Sequence, residues 1–414
     1  MTEQPPTPAT PLWQPQPTPA APPVVSQPDP YGWQPPVAQV PAPQGPPPGW
    51  EPVAAPPQWQ GPPGQPQWQG PPQWQPPVSG WRTALPVEPK RYSQFLQTPR
   101  RRWWKLPIAL VVAVLTWLVG STIAIVPALV YDLIDQKVML TDAAAIQNHL
   151  NTMQTHVTPA VFLANNVAII VMIPAAWLGL IIYGQKPRWL SSVVGRLRWG
   201  WMFRLLGLIL IPYLLLQGLE ALGGAYSKLN WQPYSLFMIL AVIITTPLQC
   251  VGEEYGTRGL INRLLGSYGS ARVSFWIGAV GSSLVFMWLH AATDPYLNAF
   301  YFTFGMVACW MAWRTGGLEA SIAMHVVNNV LAMATLPFSD FSGIFNREAG
   351  SASFLAVVPL ALVMLACVGI VEWQVRRQKP VAVAAPGLTD VPPGMVPFVP
   401  LDPRAGVGPV GQVG

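Results

Sequence analysis

Between Trp103 and Trp373 the chain carries eight apolar runs, each long enough or nearly long enough to cross a lipid bilayer. They lie near Leu106–Tyr131, Pro159–Gly184, Trp201–Leu222, Tyr234–Gly252, Val273–Ala291, Tyr296–Trp313, Leu318–Pro337 and Ser353–Trp373. Runs of this length in a bilayer form helices, because hydrocarbon offers no partner to a free backbone N–H or C=O. The expected fold class is therefore an all-α polytopic membrane protein of about eight transmembrane helices. Composition agrees: 10% of residues are charged and 51% are hydrophobic, against about 25% charged in a soluble domain.

The flanks differ sharply from this region. Of the 50 prolines, 31 fall in the first 100 residues. Three imperfect Trp-Gln repeats stand there: Pro57-Gln58-Trp59-Gln60-Gly61, Pro66-Gln67-Trp68-Gln69-Gly70 and Pro72-Gln73-Trp74-Gln75-Pro76. Such a segment lacks the apolar content to build a core. Residues 1–97 are expected to form a disordered, cytoplasmic Pro/Gln/Trp-rich region, which reads as a solvated low-complexity tail or as one whose Trp residues dock on a protein partner or on the membrane interface. Residues 98–378 form the membrane-embedded domain, and residues 379–414 a second disordered tail. The N-terminus lacks an apolar h-region, so no cleavable signal peptide is expected.

Charge sets the orientation. A basic cluster of Lys90, Arg91, Arg100, Arg101, Arg102 and Lys105 precedes the first run. Arg- and Lys-bearing connections then alternate with connections that have few. The positive-inside rule turns this pattern into a multi-pass protein of the cell membrane with both termini cytoplasmic. The net charge of +6 is accounted for by these flanking residues and gives no reason to expect nucleic acid. Cys250, Cys309 and Cys367 all sit in apolar runs without paired spacing, so neither a disulfide framework nor a Cys-based metal site is expected. The stretch Trp189–Arg204 mixes Trp, Leu, Val and Arg and reads as the start of an interfacial amphipathic helix.

Three charges in the fourth run stand out. Glu253, Glu254 and Arg258 follow about twenty nearly uncharged residues, and each charge at membrane depth costs a few kcal/mol. Glu254 and Arg258 are i,i+4 on one helix face and can pair. Glu253 is about 100° round the helix from Glu254, free of that partner and available as a general base. Phe286 and His290 are i,i+4 near the end of the fifth run. His325 and Asn329 are i,i+4 in the seventh, where an imidazole and an amide suit an oxyanion. Taken singly, each has a plainer reading: a juxtamembrane charge cluster, a packing histidine, interhelical polar contacts.

Together, in this order, Glu253-Glu254-xxx-Arg258, Phe286-xxx-His290 and His325-xxx-Asn329 resemble the motifs of the CPBP family of intramembrane endopeptidases. That family comprises the CAAX-prenyl-protease and bacteriocin-processing proteins, also called the Abi family. The resemblance covers about Tyr234 to Leu336 and implies a peptidase acting on membrane-associated peptides or proteins. It implies that Glu253 activates water with His290, that His325 and Asn329 stabilise the oxyanion, and that Glu254 and Arg258 orient the site. Glu253, His290 and His325 are also a set able to hold zinc, although the HExxH spacing is absent; the preferred mechanism needs no cofactor. The alternative is a non-catalytic membrane protein, either a proton-linked transporter or a scaffold.

Depth supplies a geometric condition. If the fourth helix ended at Gly252, Glu253 and His290 would lie at opposite faces, about 25 Å apart. They meet only if the helix runs on to about Leu265 and turns at Gly266-Ser267-Tyr268-Gly269. Glu253 then stands about 20 Å from the turn, and His290 about 30 Å.

Overall fold

A computed structural model describes residues 84–152, 157–344 and 346–384 of the chain. The Trp-Gln repeats, His156 and the tail from residue 385 onward lie outside the described residues. The described residues fold as helices, with only two isolated antiparallel β-bridges.

In order, the helices are α1 (Lys105–Asp135), α2 (Ala143–Thr152), α3 (Pro159–Ile170) and α4 (Met172–Ile181), then α5 (Trp199–Leu222) and α6 (Ser235–Glu254). A π-helical segment, Tyr255–Ile261, joins α6 to α7 (Asn262–Leu265). The series ends with α8 (Ala271–Leu289), α9 (Pro295–Thr315), α10 (Glu319–Ala332) and α11 (Phe354–Gln378). Seven helical stretches are long and apolar enough to cross a membrane, counting α3 with α4, α6 through α7, and α10 with the turn after it as single spans. The eighth expected run is α9, 21 residues long but diluted by Asn298, Thr303 and Arg314. The chain is thus a multi-pass membrane protein. Leucines and isoleucines such as Leu115, Ile123, Leu215, Ile243 and Leu365 stay exposed on the outer faces, as a hydrocarbon surround requires.

Local chemistry sets the helix ends. Thr158, Asp294 and Ser353 cap α3, α9 and α11, their side chains accepting from backbone N–H groups of the first turn. Pro159 and Pro295 take the first turn, where a missing N–H costs nothing. Gly316, with φ of 73°, ends α9 in the left-handed conformation.

α10 is central and packs against α5, α6 and α9. Its small residues Ala320 and Ala323 are fully buried, which allows the close approach that membrane helices use in place of a hydrophobic drive. A second core joins α1, α4 and α7 to residues ahead of α1: Leu85, Tyr92, Phe95 and Leu96 are buried at 0–1% exposure. These positions fall inside the 1–97 segment expected to be disordered. The fully buried Arg263 holds them: its guanidinium donates to the Trp189 carbonyl and to Gln185 Oε1, and stacks over Tyr92 and Phe95. Arg263 therefore serves the protein interior.

The expected amphipathic helix over Trp189–Arg204 does not form as one element. A short 3₁₀ turn, Pro187–Leu190, is followed by irregular chain before α5 begins at Trp199. The backbone there pairs instead with the start of α10: Val193 N–H donates to Gly316, Leu318 N–H to Ser191. Arg198 forks onto Glu319 at 2.7 and 2.8 Å.

Candidate active site

The geometric condition of the sequence reading is met along the chain. Helix continues from Ser235 through Glu253 to Leu265 as one 31-residue span, and the turn falls over Gly266–Ser270. Glu253 and Glu254 are the last residues of α6, and Arg258 sits in the π segment. A π turn inserts one residue into the α ladder and is common at functional sites. Thr257 Oγ1 donates to the Glu253 carbonyl at 2.5 Å, satisfying a backbone acceptor where the ladder changes.

Two glycines set this helix against its neighbours. A Cβ on Gly252 would stand 2.5 Å from the Ile169 carbonyl oxygen of α3, and one on Gly256 would stand 2.5 Å from Met172 Cε of α4. Gly252-xxx-Gly256 is a small-xxx-small face, which brings backbones together in membranes. It presses one side of the site helix onto the α3–α4 junction and leaves the carboxylate side facing α10.

There Glu254, fully buried, lies 3.1 Å from Arg258 Nη1 and accepts from His325 Nδ1 at 2.9 Å. Arg258, also fully buried, lies over the Phe286 ring at 4.2 Å. The other imidazole nitrogen, His325 Nε2, is 3.0 Å from Glu253 Oε2. That contact lacks hydrogen-bond alignment, and Glu253 Oε2 is buried without a donor among the described residues. Because a carboxylate only accepts, Nδ1 must carry a proton toward Glu254. His325 is thus held between both carboxylates.

His290 ends α8. Its Nδ1 donates to the Phe286 carbonyl at 2.7 Å, which leaves Nε2 without a bond to the protein. The Phe286 ring lies 4.5 Å from the His290 ring and 5.9 Å from the His325 ring. The two imidazoles therefore flank one phenyl group, and α6, α8 and α10 converge on one site. Asn329, one turn beyond His325, donates to Gln249 Oε1 at 3.4 Å and accepts from Asn328 at 2.9 Å.

Every residue singled out from the sequence is in this cluster, and four partners were not foreseen. Gln249 stands one turn before Glu253, an i,i+4 signal that was legible and passed over. Tyr301 stacks on His290 at 3.8 Å, Phe304 lies edge-on to His325 at 4.9 Å, and Arg347 donates to the His290 carbonyl at 2.8 Å. No local pattern marks these three. Asn166 of α3 donates to Thr245 and Thr246 of α6.

Among the described residues no three of His, Cys, Asp and Glu stand together as a metal-binding group. Both histidines turn Nδ1 to a protein acceptor, which leaves Nε2 of each as the only ring nitrogen a zinc ion could take. No step below passes through a metal.

This fold and site define a class: a multi-pass helical membrane protein with a buried Glu–His–Arg cluster at the meeting of three helices. Residues 233–331 match the family model described as type II CAAX prenyl endopeptidase, Rce1-like. The matched residues contain all three motifs, in agreement with the CPBP resemblance seen in the sequence. No curated protein and no solved structure matches the chain.

Proposed function

We propose that the chain is an intramembrane endopeptidase that hydrolyses peptide bonds of membrane-associated proteins or peptides through a water activated by Glu253. The observation that carries this reading is Glu253 itself. Its Oε2 is a buried carboxylate oxygen with no hydrogen-bond donor, beside His325 and in the same cluster as His290. A buried acceptor left open in a native structure calls for a partner, and a water there is the nucleophile a peptidase needs. Glu254 has its charge balanced by Arg258 and is the supporting carboxylate.

In the reaction, water bound between Glu253 and His290 Nε2 attacks the scissile carbonyl carbon as Glu253 takes its proton. The oxyanion is stabilised by the Asn329 amide, whose present bond to Gln249 is long at 3.4 Å and readily exchanged, and by His325, whose Nε2 is not aligned on Glu253 and turns its proton to the oxyanion. The tetrahedral intermediate then collapses: the C–N bond breaks, and the proton on Glu253 passes to the leaving amine. Each group contributes on the scale of general acid–base and oxyanion effects, about 10²–10⁴-fold.

The match to the CAAX endopeptidase family supports a lipid-modified C-terminal peptide as a first substrate to try. The test uses the purified full chain in proteoliposomes with a prenylated reporter peptide. Cleavage by the native protein and its loss in Glu253→Gln support the reading. Unchanged cleavage by Glu253→Gln sinks it. Proton-gradient-driven uptake without cleavage would instead favour a transporter.

A further inference from the structure

Away from the peptidase site, α5 and α11 enclose an open cavity of about 620 Å³. Its lining includes Arg204 and Phe203 from the second turn of α5, and Trp373, Gln374 and Arg377 from the end of α11. The start of α5 thus meets the end of α11, which places both arginines at one end of the bundle.

Neither arginine has a carboxylate partner among the described residues. The nearby acid, Glu372, is already held by Arg314 at 2.8 Å and by Arg376 at 2.8 Å. Arg377 instead lies 5.8 Å from the Trp373 ring. The cavity therefore presents two uncompensated guanidinium groups, the donors best suited to a phosphate. A second observation points the same way. Gln374 is 3% exposed, lines the cavity, and its Oε1 has no donor. It waits for a hydroxyl or N–H from whatever fills the space. The apolar wall is exposed to the bilayer, with Phe203 at 60% and Trp373 at 49%, and Trp favours the headgroup level.

We propose that this groove binds an anionic phospholipid whose headgroup carries a hydroxyl. The phosphate sits on Arg204 and Arg377, the headgroup hydroxyl donates to Gln374 Oε1, and an acyl chain runs along Phe203 and Leu208. Basic pockets between membrane helices hold anionic headgroups by this combination of charge and apolar wall. Nothing in the inference depends on peptidase activity.

Native mass spectrometry of the full chain in detergent tests it, with phosphatidylglycerol, phosphatidylcholine and soluble glycerol phosphate as probes. The expected result is retention of phosphatidylglycerol in preference to phosphatidylcholine, with glycerol phosphate failing to displace it at equal concentration. The double variant Arg204→Gln/Arg377→Gln should lose roughly fivefold in phosphatidylglycerol affinity per arginine, and Gln374→Met should lower it without changing phosphatidylcholine binding. Equal retention of the two lipids by the native chain, or unchanged binding by the double variant, overturns the proposal. Displacement by glycerol phosphate would assign the groove to a soluble phosphate and overturn the lipid assignment. If the double variant fails to fold, the native chain decides alone: its preference for phosphatidylglycerol must fall as salt is raised.

Discussion

His325 is the residue on which the site turns. Both of its nitrogens face carboxylates, so it orders Glu253 and Glu254 at once, whereas its spacing to Asn329 had suggested only an oxyanion donor. Glu253→Gln keeps the volume and removes the base. Peptide cleavage should fall by about 10²–10⁴-fold while the unfolding midpoint moves little. Glu254→Gln should behave in the opposite manner. It leaves Arg258, fully buried, without its counter-charge, and breaking a buried pair costs on the order of 3–5 kcal/mol. Thermal or denaturant unfolding in detergent should show that loss, and an unchanged midpoint would contradict the supporting role assigned to Glu254. Gln249 is a positioning residue for Asn329. Gln249→Leu should lower kcat more than it raises KM, because it loosens an oxyanion donor and leaves substrate contacts alone.

At the scale of elements, the continuous α6–π–α7 rod decides whether the motifs can meet. Its position rests on Gly252 and Gly256, where there is no room for a Cβ. Gly252→Val should push α6 off the Ile169 backbone, costing about 1–3 kcal/mol and most of the activity; Gly200→Ala, which meets nothing within 4 Å, is the control. α9 depends on Asp294 in a similar way. One carboxylate oxygen accepts from Tyr296 and Leu297 N–H, the other from Gly350 and Ala352 N–H. These bonds, led by that from Leu297, hold its carboxyl below the usual carboxylate value of 3.8. A depressed folded-state pKa contributes stability that is full above the ordinary value and is lost as pH falls through the depressed one. The native chain should therefore lose stability on the acid side below about pH 4. Asp294→Asn should flatten that limb in an unfolding-midpoint-against-pH profile.

For the whole molecule, the segment ahead of α1 is part of the fold. Phe95 is fully buried and stacks on Trp189 at 5.5 Å. Phe95→Ala should cost about 3–5 kcal/mol, measured by unfolding of the full chain; no loss would mean that residues 84–97 are dispensable. Composition hid this, because proline and glutamine density averaged over about a hundred residues masks a short cluster of Leu85, Tyr92, Phe95 and Leu96. The burial of its partner, Arg263, likewise depends on chain that arrives from some 170 positions away.

The helices and the three motifs were legible because each depends on neighbours in sequence. Length and hydropathy fix a membrane helix through the cost of unpaired backbone in hydrocarbon. An i,i+4 spacing fixes a shared face through helix geometry. Even the run-on of the fourth helix followed from rise per residue. What needed the tertiary structure was every contact between helices: the clamp of both carboxylates on His325, the Tyr301 stack, the Arg263 anchor and the α5–α11 groove. Those depend on which faces meet and at what register. That choice is made by close packing at Gly252, Gly256, Ala320 and Ala323, and the pattern of one helix alone does not say which neighbour its small face meets.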